Sequence, residues 1–265
     1  MTNCHDISDR NDPRLEPFRD LPQRGMDITS QRFVVEGELL TRRLLTSPLI
    51  AESILITPSR LERLRPVLPD HVPVYVAPNE LLRTVVGYPF HAGVLACSRR
   101  PPNPSLEACS AAGKNAMLVV CPRIDNHANL GSLIRVAAAM GAAAMLLGHG
   151  GCDPFRRQAI RVSMGSVLTL PVRRCDDIHG ELEALKDRWG FHLVAAVLAP
   201  DAPPLHAAHR ARPLAVMMGN EADGLDPALI ARAHQRVRIP MHADTDSLNV
   251  AVAAAVTLYH FSLPG

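Results

Sequence analysis

Lysine is almost missing from this chain: of its 28 basic residues only Lys114 and Lys186 are lysine, and the other 26 are arginine. Arginine suits bidentate phosphate recognition, and the base composition of a genome produces the same bias. There is also no lopsided charge. Residues 1–110 carry 13 basic and 13 acidic side chains and residues 111–265 carry 15 and 13, so neither half is a basic nucleic-acid arm. RNA contact would rest on local patches such as Arg42 with Arg43, residues 60–65, Arg99 with Arg100, and residues 156–161, and each of these taken singly also reads as a solvated helix face. No apolar run approaches the roughly 18 residues of a membrane span. The longest, residues 136–147 and 250–258, are short or broken at Gly141. The opening MTNCHDISDRND lacks the basic-then-apolar order of a signal peptide, which predicts a cytoplasmic protein. The six cysteines form no CxxC and no metal-like spacing, as expected of reduced thiols.

What is present is a composition able to build a sizeable core: 47% hydrophobic against 20% charged over 265 residues. That length accommodates one large domain or two modest ones. Residues 1–30 are polar, proline-punctuated and without periodicity, and read as a flexible leader. From Phe33 short β-rich runs alternate with helical segments: strands at 33–35, 54–56, 72–76 and 94–97, helices at 37–45, 59–68 and 80–86. Residues 31–98 therefore form a first α/β domain. The stretch RRPPNP at 99–104 opens a linker running to 113. In residues 114–265 the pattern predicts strands at 117–121, 144–147, 192–198, 214–218 and 237–241, and helices at 130–140, 156–167, 178–188, 227–234 and 247–261. Such alternation implies a mostly parallel sheet covered on both faces. Ligands of such sheets bind at the carboxyl ends of strands, so the loops after Cys121, Met218 and Met241 are where chemistry is expected.

Common motifs are missing from those loops. No GxxxxGK[ST] or GxGxxG opens a helix after a strand, and HExxH is absent. Gly148-His149-Gly150-Gly151 invites comparison with a hydrolase oxyanion loop, but the required GxSxG is lacking; Arg161 to Gly165 comes nearest, without the first glycine. The three loops are polar nonetheless. Asn129 stands at a helix start and Arg135 six residues later, about 9 Å along the axis. Because helical side chains lean toward the N-terminus, one site could receive both, although an N-cap and an exposed arginine explain the pair equally well. In the second loop, Met218-Gly219-Asn220-Glu221, glycine permits close backbone approach and Glu221 supplies an acid at the strand end. The third loop contains Ile239, Met241, Ser247, Leu248 and Asn249 and leads into an apolar run. Ser247 fits an N-cap, and a helix apolar on every side must be buried, which suits packing against a second subunit.

Together these loops resemble the signature motifs of the SpoU (TrmH-like) branch of the SPOUT methyltransferases, RNA 2'-O-ribose methyltransferases that use S-adenosylmethionine. The matching residues are Asn129, Gly131 and Arg135; Gly219 to Leu225; and Ile239 to Met241 with Ser247 to Asn249. They lie in the family's order across about residues 117–261, and Arg161 to Ser166 is similar to the family's inter-motif helix. Residues 33–97 resemble the small L30e-like RNA-binding domain of many members, through Val35-Glu36-Gly37 and His91 to Ala96. The resemblance implies a C-terminal trefoil-knotted parallel-sheet domain, a homodimer formed through it, and RNA as substrate. The extra N-terminal domain favours ribosomal RNA; transfer RNA, or a non-catalytic RNA-binding role, are the alternatives. It further implies a catalytic set of Arg135, Asn129, Glu221, Ser247 and Asn249, and a cofactor site made by Met218, Gly219, Asn220, Glu221, Ile239, Met241, Ser247 and Leu248. The sequence departs from the family pattern at Ala243 and Ala251, where glycine and serine are common, and at Asn126-His127, which replaces a proline-containing turn.

Overall fold

The computed structural model describes residues 3–21, 31–220, 223–242 and 247–263. These residues fall into two compact units, one within Met1–Pro102 and Phe155–Thr169, the other within Asn103–Pro154 and Leu170–Gly265.

The first unit contains β1 (Cys4–Asp6), β2 (Arg32–Glu36), α1 (Glu38–Thr46), β3 (Ala51–Ile56), α2 (Pro58–Leu64), β4 (Val74–Val76), α3 (Asn79–Val86) and β5 (Val94–Arg99). Its strands form a mixed sheet in the order β1-β4-β3-β5-β2, with β5 antiparallel to both its neighbours. The inner strands are apolar on both faces: Ile54, Leu55, Ile56 and Val94 to Cys97 are all fully buried.

Residues 1–30 are expected to be a flexible leader, but residues 3–21 are folded onto this sheet. β1 lies parallel to β4 with Cys4 opposite Val74, and a 3-10 turn over Pro13–Phe18 buries Leu15 and Phe18 completely. Ile7 and Leu21 complete the anchor. Four apolar residues at irregular spacing, two in the turn, one just after the strand and one just after the turn, leave no helical or strand period to read.

Residues 155–169, expected in the second domain, cluster with the first unit. The Phe155 ring sits 4.9 Å from Phe33 and the Arg100 guanidinium 5.1 Å above Phe155. In the helix Arg157–Val162, Arg157 donates to Glu36 at 2.7 Å and lies 4.4 Å over the Tyr88 ring, whose hydroxyl donates to the same carboxylate at 3.0 Å. Burial first, and then the Glu36 charge, push the Tyr88 hydroxyl well above its ordinary pKa. The helix stops short of the expected Val167 because Met164 and Gly165 take φ of 52° and 81°, a left-handed turn no α-helix can include.

The second unit contains α4 (Leu106–Ser110), β6 (Met117–Cys121), α5 (His127–Ala139) and β7 (Ala144–Leu147). After α6, the helix Arg157–Val162 of the first unit, come β8 (Val172–Arg174), α7 (Ile178–Trp189), β9 (His192–Ala196), β10 (Leu214–Met218), α8 (Pro227–Arg232), β11 (Gln235–Val237) and α9 (Val250–Ser262). The six strands make an all-parallel sheet in the order β11-β9-β10-β6-β7-β8. Every residue of β6, β7 and β10 is buried, the pattern of strands covered on both faces.

Three features of this unit differ from expectation. β8 is a half-buried edge strand of three residues whose Arg173 pairs with Glu181 at 2.7 Å, so it carries no apolar signature. β11 ends at Val237, and Ile239 to Met241 leave the sheet; Pro240 has no N–H to continue a ladder. α9 is not buried all round: Val250, Ala254, Leu258 and Phe261 are inside, while Val252, Val256 and Tyr259 are 49%, 41% and 58% exposed.

Candidate active site

β9, β10 and β11 deliver their carboxyl ends to one cleft of about 460 Å³, closed on one side by the start of α9. Ligand sites of open parallel sheets lie in this position, and the volume is that of a small-molecule pocket. Met218, Gly219, Asn220, Ile239, Met241, Ser247 and Leu248, named as cofactor-binding from the sequence, all line it. Glu221, named for both roles, lies outside the described residues, as does Ala243.

The loop after β10 is braced by its own backbone. Asn220 and Gly224 exchange N–H to carbonyl bonds at 3.2 Å, and the Asn220 side-chain oxygen accepts from the Asp223 N–H at 2.7 Å. The two arms lie so close that a Cβ on Gly219 would stand 2.3 Å from the Gly224 carbonyl carbon. Glycine is thus required there by approach.

Asn249 joins the third motif to the first. Its side-chain oxygen accepts from the Ala251 N–H at 3.0 Å, capping α9, while its amide donates to the Asn129 side-chain oxygen at 3.0 Å. The cap is therefore Asn249 and not Ser247, which stands exposed at the cleft two residues earlier. α5 is capped by Asn126, whose side chain accepts from the Ala128 and Asn129 N–H groups, so Asn129 sits inside the first turn.

Arg135 is exposed on α5 and does not line the cleft. Six residues turn a helix through about 600°, which sets Arg135 about 120° round from Asn129. Ser247 and Asn249 line the cleft, Asn129 is joined to it through Asn249, and Arg135 is exposed outside the lining. Near the same strand ends Arg123 pairs with Asp125 at 2.9 Å, a bond that holds its guanidinium more firmly protonated.

Two parts of the lining escaped the sequence. One is the segment after β9, Val197 to Ala199, with Leu198 63% exposed; the strand-end rule points there as much as to the other loops. The other is Thr257, a single hydroxyl in the buried face of α9. Among the described residues the lining holds no histidine or cysteine, and Asp223 is its one carboxylate. Such a site can position and polarise partners but offers little to generate a nucleophile. Among the described residues no three His, Cys, Asp or Glu side chains could hold a metal, and no helix is long and apolar enough to cross a membrane.

An α/β fold with a cleft of small-molecule size at its strand ends, lined by amide and hydroxyl side chains as well as apolar ones, is built to bind and position a ligand. The chain belongs to the SpoU rRNA methylase family, whose model matches residues 116–259. It is 37% identical to an uncharacterized tRNA/rRNA methyltransferase of Mycobacterium tuberculosis, over 99% of this chain and 93% of that protein. It is 27% identical to the 23S rRNA (guanosine(2553)-2'-O)-methyltransferase RlmP of Bacillus subtilis, over 96% and 98%. Among solved structures, an RNA 2'-O ribose methyltransferase at 28% identity superposes with a TM-score of 0.75, with 97% of each chain covered. An AdoMet-bound rRNA methyltransferase from Sinorhizobium meliloti shares the fold at 23% identity, with a TM-score of 0.84 and 97% of each chain covered.

Proposed function

We propose that this chain transfers the methyl group of S-adenosylmethionine to a ribose 2'-hydroxyl of RNA, with ribosomal RNA as the substrate class. The observation that carries the reading is convergence: residues from the second and third motifs line one cleft, and Asn249 ties that cleft to Asn129 of the first motif. The related protein bound to AdoMet and the relatives named for 23S rRNA support the cofactor and the substrate class.

S-adenosylmethionine brings a methyl group already activated on a sulfonium, so the protein has chiefly to align and to manage a proton. Gly219, Ile239, Leu248, Met218 and Met241, which line the cleft, would form the walls around the cofactor. Ser247, Asn249 and Asn129 fix the polar end, where Glu221 of the same motif set would join them. Arg135, exposed on α5, serves the RNA side: it orients a phosphate and stabilises the developing alkoxide, since a guanidinium with a pKa above about 12 is a poor base.

The unit works as a cytoplasmic homodimer with the knotted threading of its family. Val252, Val256 and Tyr259 recur at i, i+4 and i+7 on α9 and are all exposed, with exposed Leu263 just past the helix end, a stripe a second copy would cover. The test is transfer of labelled methyl from S-adenosylmethionine to total RNA, followed by ribose-methylation mapping. Label in ribosomal RNA is expected. Label confined to transfer RNA would move the substrate class, and none with any RNA would leave a binding protein. Arg135→Ala is expected to abolish transfer while cofactor still binds; normal turnover would remove Arg135 from the mechanism.

A further inference from the structure

Resting on that reading of the cleft, we propose that the Thr257 hydroxyl recognises the nucleobase of the cofactor. Thr257 shares with Val250 and Ala253 the stripe of α9 that lines the cleft. Its side chain is 0% exposed, and its Oγ1 has no hydrogen-bond partner among the described residues. Helical hydroxyls commonly return to the carbonyl four residues earlier. Others in this chain do so: Thr46 to Arg42, Thr84 to Glu80 and Ser110 to Leu106. Thr257 makes no such bond. A buried hydroxyl without a partner weakens the fold, and valine would fill the same space without that cost. A hydroxyl kept here is accounted for by a partner that arrives with the ligand.

The chemistry along the cleft says which part of the ligand that is. Ser247 and Asn249, at the start of α9, are polar. Thr257 lies eight residues beyond Asn249, about 12 Å along the helix axis. Much of the remaining lining is apolar, including Leu225, Ile230 and Val237. The charged amino-acid end of the cofactor needs the polar mouth. A flat heteroaromatic ring suits apolar walls with one hydroxyl, which can both donate to and accept from the ring edge.

The test is calorimetric titration of the full chain with S-adenosylhomocysteine. Thr257→Val should lose about fivefold to twentyfold in affinity, while Thr257→Ser, which keeps the hydroxyl, should stay within about twofold of the unaltered protein. Thr41 gives the control: it too is 0% exposed with an unpartnered Oγ1, but it belongs to the first unit. Thr41→Val should leave affinity unchanged. Without ligand, Thr257→Val should melt no lower than the unaltered protein, yet gain less in Tm when S-adenosylhomocysteine is added. If Thr257→Val does not fold, Thr257→Ala removes the hydroxyl with less bulk and is read the same way. Unchanged affinity on loss of the hydroxyl would overturn the proposal and leave the cofactor reading standing. No heat with the unaltered protein would overturn both.

Discussion

The Asn249 side-chain amide donates to the Asn129 side-chain oxygen at 3.0 Å, joining residues 120 positions apart in the chain. The same asparagine caps α9 through its oxygen, so one side chain both starts a helix and fastens it to α5. The two functions are separable. Asn249→Ser keeps a good capping oxygen but is too short to reach Asn129, whereas Asn249→Ala loses both. A double-mutant cycle of Asn249→Ser with Asn129→Ala, read by urea denaturation, should give a coupling of about 0.5–1.5 kcal/mol. Asn249→Ala should cost about 1 kcal/mol more than Asn249→Ser. Additive single mutants would show that the bond contributes nothing.

Gly219→Ala places a methyl where the Gly224 carbonyl carbon stands 2.3 Å away. The loop must open, at about 1–3 kcal/mol, and it forms part of the cleft. Affinity for S-adenosylhomocysteine is expected to fall by roughly tenfold or more, with a lower Tm in the ligand-free protein. An alanine variant that binds normally would mean the loop moves freely.

Phe18 is fully buried in the first unit although it precedes the first long strand. Phe18→Ala should destabilise the protein by about 3–5 kcal/mol, as expected for an aromatic removed from a packed core. A substitution in a true leader would change nothing, so the denaturation midpoint separates the two cases.

His192 provides a pH dependence. Burial chiefly, then His234 stacked at 5.0 Å and His209 edge-on at 6.2 Å, push its imidazole below the ordinary 6.5, while a Gln235 hydrogen bond opposes them. The unfolded chain therefore takes up this proton at a higher pH than the folded one. Stability is at its full value above about 6.5 and falls as pH drops through that value. Urea midpoints at pH 7.5 and 5.5 should differ in that direction, and His192→Gln should reduce the difference. His260, also lowered mainly by burial, keeps part of the slope. An acid limb unchanged in His192→Gln would assign it elsewhere.

The legible parts of this chain were those where one pattern dominates. β6, β7 and β10 appear with their observed bounds because a strand buried on both faces is an unbroken apolar run. The cofactor-side residues were legible because three motifs occur in one order, and their described members line one cleft. The N-terminal strand was hidden because three residues paired to β4 carry no alternation. Arg135 shows the limit of spacing: proximity along an axis says nothing of the face a residue occupies. Thr257 was read as one more residue of an apolar helix, since only coordinates reveal which hydroxyl lacks a partner.

The placement of residues 155–169 with the first unit has a consequence for dissection. A protease cut in the proline-rich stretch at 99–104 would sever the backbone yet leave Phe33 still covered by Phe155, and Glu36 still held by Arg157. The amino-terminal piece would stay clipped in place after the nick. A recombinant fragment ending near residue 100 would lack that covering altogether, leaving Phe33 and Glu36 without the partners they have in the intact first unit.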